Sequence, residues 1–169
     1  TINVAPAKGW PKDVSPRAAE GLEVNAFAAG LDHPRWLYVL PNGDVLVAET
    51  NAPPRPEQNK GIKGRVFAFF QKRAGAGTPS ANRITLLRDT DGDGVAGLRS
   101  VFLMGLNSPF GMALVGNALY VANTDAVVRF HYTEGATKIE KPGVKVADLP
   151  AGALNHPWTK GLVANKDAS

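Results

Sequence analysis

The sequence predicts an all-β chain of antiparallel sheets arranged as propeller blades, and three observations predict it. First, a short phrase recurs three times: Leu31-Asp32-His33-Pro34, Leu106-Asn107-Ser108-Pro109 and Leu154-Asn155-His156-Pro157. After the first two copies a short apolar run meets a turn and then an alternating strand, and repetition at this interval marks solenoids and propellers. Second, 18 Gly and 13 Pro in 169 residues demand many turns and leave little room for long helices. Third, the apolar segments are short, regularly spaced and bounded by turn residues. The third copy runs on into Thr159–Ser169, where Asn165 and Asp167 fall in the register of Asn42 and Asp44. The strand Val45-Leu46-Val47-Ala48 has no third counterpart. The expected organisation is an extended arm over 1–21 and a partial β-propeller over 22–169, truncated within a blade.

Each element follows from local pattern. Leu22-Glu23-Val24-Asn25-Ala26-Phe27 alternates apolar and polar residues and reads as a strand. Gly30 ends it and Pro34 opens a strand from Trp36 to Leu40. Pro41-Asn42-Gly43-Asp44 is a hairpin turn, Asn-Gly supplying the positive φ values that tight turns need, and Val45–Glu49 is its partner strand. Residues 51–63 are a polar, Pro-rich loop. Arg65-Val66-Phe67-Ala68-Phe69-Phe70 reads as a strand from its aromatic and β-branched content, followed by a flexible Gly- and Ser-containing segment. Ile84–Arg88 and Ser100–Leu103 flank an acidic loop. The second repeat supplies Gly111–Val115, Ala118–Ala122 and Ala126–Tyr132, and Val144–Leu149 closes the block.

Composition excludes several classes. Apolar content of 44% supports a packed core and argues against disorder. No apolar run approaches a membrane-spanning helix. Residues 1–21 have no apolar core of a signal peptide and read as a mature N-terminus. The absence of cysteine removes disulfides and thiolate metal sites and fits a periplasmic or secreted protein as well as a cytosolic one. The net charge of +4 is spread among acids without a basic helix or an aromatic-interleaved basic patch, which argues against nucleic acid. No Gly-rich phosphate loop, clustered His ligands or Ser/His/Asp order supports phosphate or hydrolase chemistry.

The sharpest local motif is Asp89-Thr90-Asp91-Gly92-Asp93-Gly94. Carboxylates at alternate positions with Gly at the sixth match the front of a calcium loop, where alternate oxygens converge on the ion. The pattern then fails, with Gly97 at the ninth position and Ser100 where a bidentate Glu belongs. Asp89, Asp91 and Asp93 are therefore candidate ligands of a structural cation, the alternative being an acidic turn satisfied by backbone amides and water.

Together, LDHPRWLYVLPNGDVLVAET, LLRDTDGDG, GLNSPFGMAL and NHPWTKGLVAN resemble the sorbosone dehydrogenase family of soluble, quinoprotein aldose dehydrogenases, from about residue 20 to the end. The resemblance implies a six-bladed propeller more than twice this length, of which this chain would supply the first two to three blades. The other blades would come from a continuing or second chain. It also implies oxidation of the C1 hydroxyl of an aldose, or of a hydrated aldehyde, with hydride passing to pyrroloquinoline quinone (PQQ), and calcium as a second cofactor.

In that family a histidine just before a Trp-Thr-Lys run is the general base. Here Pro157 stands at that place, and His156, one residue earlier, is the candidate. Because one residue changes the face of a strand, either a bulge brings His156 to the axis or the base is lost. His33 at the same place in the first copy offers a plainer reading, in which L-x-His-Pro is a blade-entry turn. Asn155, beside the base, and Asn107, at the matching repeat position, are the candidate cofactor contacts, although Asn at a turn also commonly bonds backbone. Trp36 and Trp158 are candidates to wall a sugar pocket or to fill blade cores, and Glu49 and Asp125 end equivalent strands as axis-facing or solvated acids. The second reading of function is a non-redox propeller, as a calcium-stabilised binding module or a lactonase-like protein.

Overall fold

The structure, a computed structural model, describes residues 5–6, 8–9, 11, 14–53, 61–73, 79–151 and 158–165. It is nearly all β. Among the described residues there are eight strands and one helix, the strands forming two four-stranded antiparallel sheets, each in simple sequential order. Sheet 1 comprises β1 (Pro34–Val39), β2 (Val45–Glu49), β3 (Arg83–Arg88) and β4 (Leu98–Leu103); sheet 2 comprises β5 (Met112–Val115), β6 (Ala118–Ala122), β7 (Ala126–His131) and β8 (Val144–Asp148). One helix, α1 (Gly61–Arg73), lies between β2 and β3.

Strand alternation sends one face of each sheet into a shared core. Leu46, Ala48, Ile84, Leu86 and Phe102 of sheet 1 pack with Met112, Leu119, Val121 and Phe130 of sheet 2, all of them buried. Polar contacts tie the sheets together. The Tyr38 hydroxyl accepts from the Leu114 amide at 3.0 Å, Ile139 N donates to Phe102 O at 2.9 Å, and the Ser100 hydroxyl donates to Thr137 O at 2.5 Å. The opposite face of β1 is open, with Leu37 62% and Val39 64% exposed.

Two expected strands take other forms. Arg65–Phe70 belongs to helix α1. β2 already pairs β3 in full register, and β3 pairs β4, so no edge inside the sheet is left for a fifth strand. Ala68, Gln71, Lys72 and Arg73 are good helix formers. Leu22–Phe27 is extended but joins neither ladder, and Leu22 and Val24 are exposed. This segment instead runs past the start of β4, where Ala96 N donates to Phe27 O and Arg99 donates to Ala29 O. The remaining expected strands form within a residue or two of their predicted limits.

Antiparallel order decides which groups share an end of the sheets. The L-x-x-P phrases lead into β1 and β5 at the end where β2 and β6 finish, and α1 leaves from that end. The β1–β2 and β5–β6 turns and the acidic loop between β3 and β4 lie at the opposite end, while the β6–β7 turn shares the end of the phrases.

Candidate functional site

The first two L-x-x-P phrases are built alike. The third residue of each has a left-handed backbone, His33 at φ 48° and Ser108 at φ 46°, a conformation uncommon outside Gly, though His, Asn and Asp are enriched in it. In each, the amide of the second residue is capped by the side chain just beyond the core of the second strand. Asp32 N donates to the Glu49 carboxylate, and Asn107 N donates to Asn123 Oδ1 at 3.4 Å. The two phrases are thus rigid entry turns, anchored further by Ser108 N donating to Asn82 Oδ1 at 3.0 Å.

Residues that follow the three prolines meet. The Trp36 and Phe110 rings lie 5.1 Å apart, tilted by 39°, and Phe110 meets Trp158 edge-on at 6.5 Å. The Arg35 guanidinium lies 5.3 Å from the centre of the Trp158 ring, a cation–π arrangement. Two hydrogen bonds fix the segment after the third phrase against sheet 2: the Thr124 hydroxyl donates to Trp158 O at 3.2 Å, and Gly111 N donates to Lys160 O at 2.9 Å. A Cβ on Gly111 would meet Leu162 N at 2.4 Å and Lys160 O at 2.6 Å, so only glycine admits this approach. Trp36 is 40% exposed and Trp158 is half-buried, leaving an aromatic, cationic surface.

His156 and Asn155 lie outside the described residues. Asn107 is at the site and exposed, with its carbonyl accepting from Thr124 N at 2.9 Å; its backbone thus does the turn-forming work. Asp125 is exposed. Glu49 is not solvated.

Glu49 is fully enclosed. Arg83 donates to both of its oxygens at 3.1 and 2.8 Å, Thr85 donates its hydroxyl, and Arg99 stands 3.8 Å away. Burial pushes this carboxyl up, but the bonds from Arg83, Thr85 and Asp32 N outweigh burial and hold it below the usual range. At the other end of the same strands Arg88 forks onto Asp44 at 2.6 and 2.7 Å. That guanidinium, helped by Asn42, keeps the Asp44 carboxyl low against the opposing effect of burial. The signal for both pairs was in the sequence: acids bracket Val45–Ala48, and arginines bracket Ile84–Leu87 at the same interval. Antiparallel pairing brings Glu49 opposite Arg83 and Asp44 against Arg88.

At the far end, oxygens of Asp89, Asp91 and Asp93 lie within 4.8 Å of one another, close enough for one cation with oxygens at about 2.3–2.6 Å. The loop also satisfies itself. Asp89 accepts from Asp91 N, Gly92 N and Gly94 N, and the bonds from Gly94 and Gly92 hold its carboxyl low. Asp93 accepts from Val95 N at 2.8 Å. The Ser100 hydroxyl is committed to Thr137, so it is no substitute for the missing Glu.

A family model described as a domain of unknown function (DUF7133) matches residues 17–156, which takes in both sheets, the acidic loop and the first two L-x-x-P phrases in full. The chain belongs to the DUF7133 family. No curated protein and no solved structure matches it. The first two phrases, with Trp158 packed beside them, form the candidate site. No helix among the described residues is long and apolar enough to cross a membrane.

Proposed function

We propose that this chain forms the leading blades of a β-propeller oxidoreductase akin to the sorbosone dehydrogenases, oxidising the C1 hydroxyl of an aldose or a hydrated aldehyde. The observation that carries the reading is the convergence of the segments after the three L-x-x-P phrases. It anchors Trp158, two residues past His156, beside Phe110 and Arg35 at the start of the first strand of sheet 2. Sheets of four sequential antiparallel strands, packed face to face, suit propeller blades.

The open face of β1 suits cover by a neighbouring blade from a continuing or second chain. PQQ is a flat aromatic tricarboxylate; the rings of Trp36, Phe110 and Trp158 would stack on it and Arg35 would meet one of its carboxylates, the other two being left to blades beyond this chain. Bound there, it would supply the two-electron acceptor. His156 would take the hydroxyl proton, an imidazole being matched to that task near neutral pH. Asn155 and Asn107 would hold polar groups of the bound molecules. Calcium at Asp89, Asp91 and Asp93 would be structural, since that loop lies at the opposite end of the sheets. A periplasmic or secreted setting belongs to the same proposal.

The test is dye reduction by the full-length protein with aldoses and aldehydes after loading with PQQ and calcium. Activity lost in His156→Ala, with quinone absorbance retained after desalting, supports the reading. No activity and no retained quinone overturns it. The second reading, a calcium-stabilised propeller that binds without redox chemistry, draws on the convergence of the three carboxylates and is left standing by that outcome.

A further inference from the structure

Among its described side chains, helix α1 exposes the large apolar ones. In a helix that serves only its own fold the large apolar residues face the body. Among its described side chains the covered ones are small, Gly64 buried and Ala68 half-buried. Val66, Phe69 and Phe70, at the i, i+3, i+4 spacing that places side chains on one face, point to solvent with exposures of 50%, 62% and 42%. The two phenylalanine rings touch edge-on at 5.7 Å, and with Val66 and Arg65 they line a shallow apolar groove. The helix sequence carries Lys63, Arg65, Lys72 and Arg73 and no acid, and Arg65 and Arg73 are exposed beside the apolar face.

We propose that α1 is a docking helix for an anionic lipid bilayer, lying in the interface with Val66, Phe69 and Phe70 inserted and its basic residues against the headgroups. Both halves of the match are present. Exposed aromatic and branched side chains on one face supply the apolar part, and an all-basic rim complements a negatively charged surface. A protein groove would match the apolar stripe, but only an acidic one would also meet the positive charge, whereas an anionic bilayer supplies both at once. Because α1 leaves sheet 1 from the end that bears the L-x-x-P phrases, docking would hold that end toward the membrane. The proposal does not depend on the dehydrogenase reading.

The experiment is co-sedimentation of the full chain with phosphatidylglycerol/phosphatidylcholine vesicles and with phosphatidylcholine vesicles. Binding to the mixed vesicles is expected to exceed binding to the neutral ones by about tenfold and to weaken with salt. Phe69→Ser with Phe70→Ser should cost about tenfold in binding to the mixed vesicles. Arg65→Glu with Arg73→Glu should abolish the preference for anionic lipid, and both variants should keep the parent's melting temperature because these side chains are exposed. Equal binding to both vesicle types, no binding, or indifference to both variants overturns the proposal. A self-association that the Phe variant dissolves, without vesicle binding, overturns it in favour of a second copy as the occupant.

Discussion

Glu49 and Asp44 are carboxylates at the two ends of a buried strand, each held by an arginine from the strand beside it. Taking an ion out of water costs several kcal/mol, and removing one partner exposes that cost in full. Arg83→Met should therefore destabilise the fold by about 2 kcal/mol in thermal or urea unfolding. That value sits below the usual 3–5 kcal/mol for breaking a buried pair because Arg83 is itself partly exposed and Arg99 stays nearby. A loss under about 0.5 kcal/mol would mean that Arg99 takes over the pairing. The same groups set the acid limit. Both carboxyls titrate lower in the folded chain than in the unfolded one, so the unfolded state binds more protons as pH falls. Their contribution is complete above the ordinary carboxylate value of about 4 and drains away as pH drops through the lower folded values. The melting temperature should fall below about pH 4.5, and less steeply in an Asp44→Asn, Glu49→Gln double variant, as a pH series of melts would register.

Among the elements, the acidic loop and the Gly111 junction make separate predictions. If Asp89, Asp91 and Asp93 share calcium, EDTA should lower the melting temperature of the full chain and Asp91→Asn should abolish that effect. An unchanged melt in saturating calcium and in EDTA would assign the loop to its own backbone hydrogen bonds. Gly111→Ala forces a Cβ into the backbone of Lys160 and Leu162, atoms with no rotamer to yield. It should cost about 1–3 kcal/mol and loosen the 158–165 segment, visible as altered Trp158 fluorescence. Preserved stability and fluorescence would show that the segment repacks. α1 also belongs to this scale. Its aromatic run has high strand propensity, but propensity is a weak prior once every neighbouring edge is already paired.

For the whole molecule, stability rests on the junction between the sheets. Phe102 is 1% exposed and sits between them, so Phe102→Ala should cost about 3–5 kcal/mol through lost burial and a cavity. Tyr38→Phe removes one inter-sheet hydrogen bond and should cost about 1 kcal/mol. Urea unfolding should show one cooperative transition for both sheets. Two separated transitions in the parent would show that each sheet melts alone and that the shared core contributes little.

By itself the sequence determined what depends on near neighbours: all eight strands within a residue or two, the hairpin turns, and the equivalence of the first two L-x-x-P phrases, borne out by their shared left-handed residue. Alternation and turn chemistry are local, so they can be read without knowing what packs where. Tertiary structure alone decided the rest. It made a helix of Arg65–Phe70, whose flanking strands β2 and β3 already pair each other in full register, and left Leu22–Phe27 outside both ladders. It also converted Glu49 from a strand-end acid into an enclosed ion pair, since its partners are a strand away and only register brings them together. The meeting of Arg35, Trp36, Phe110 and Trp158 is of the same kind: a contact between segments far apart in the chain, set by the packing of two sheets on one core.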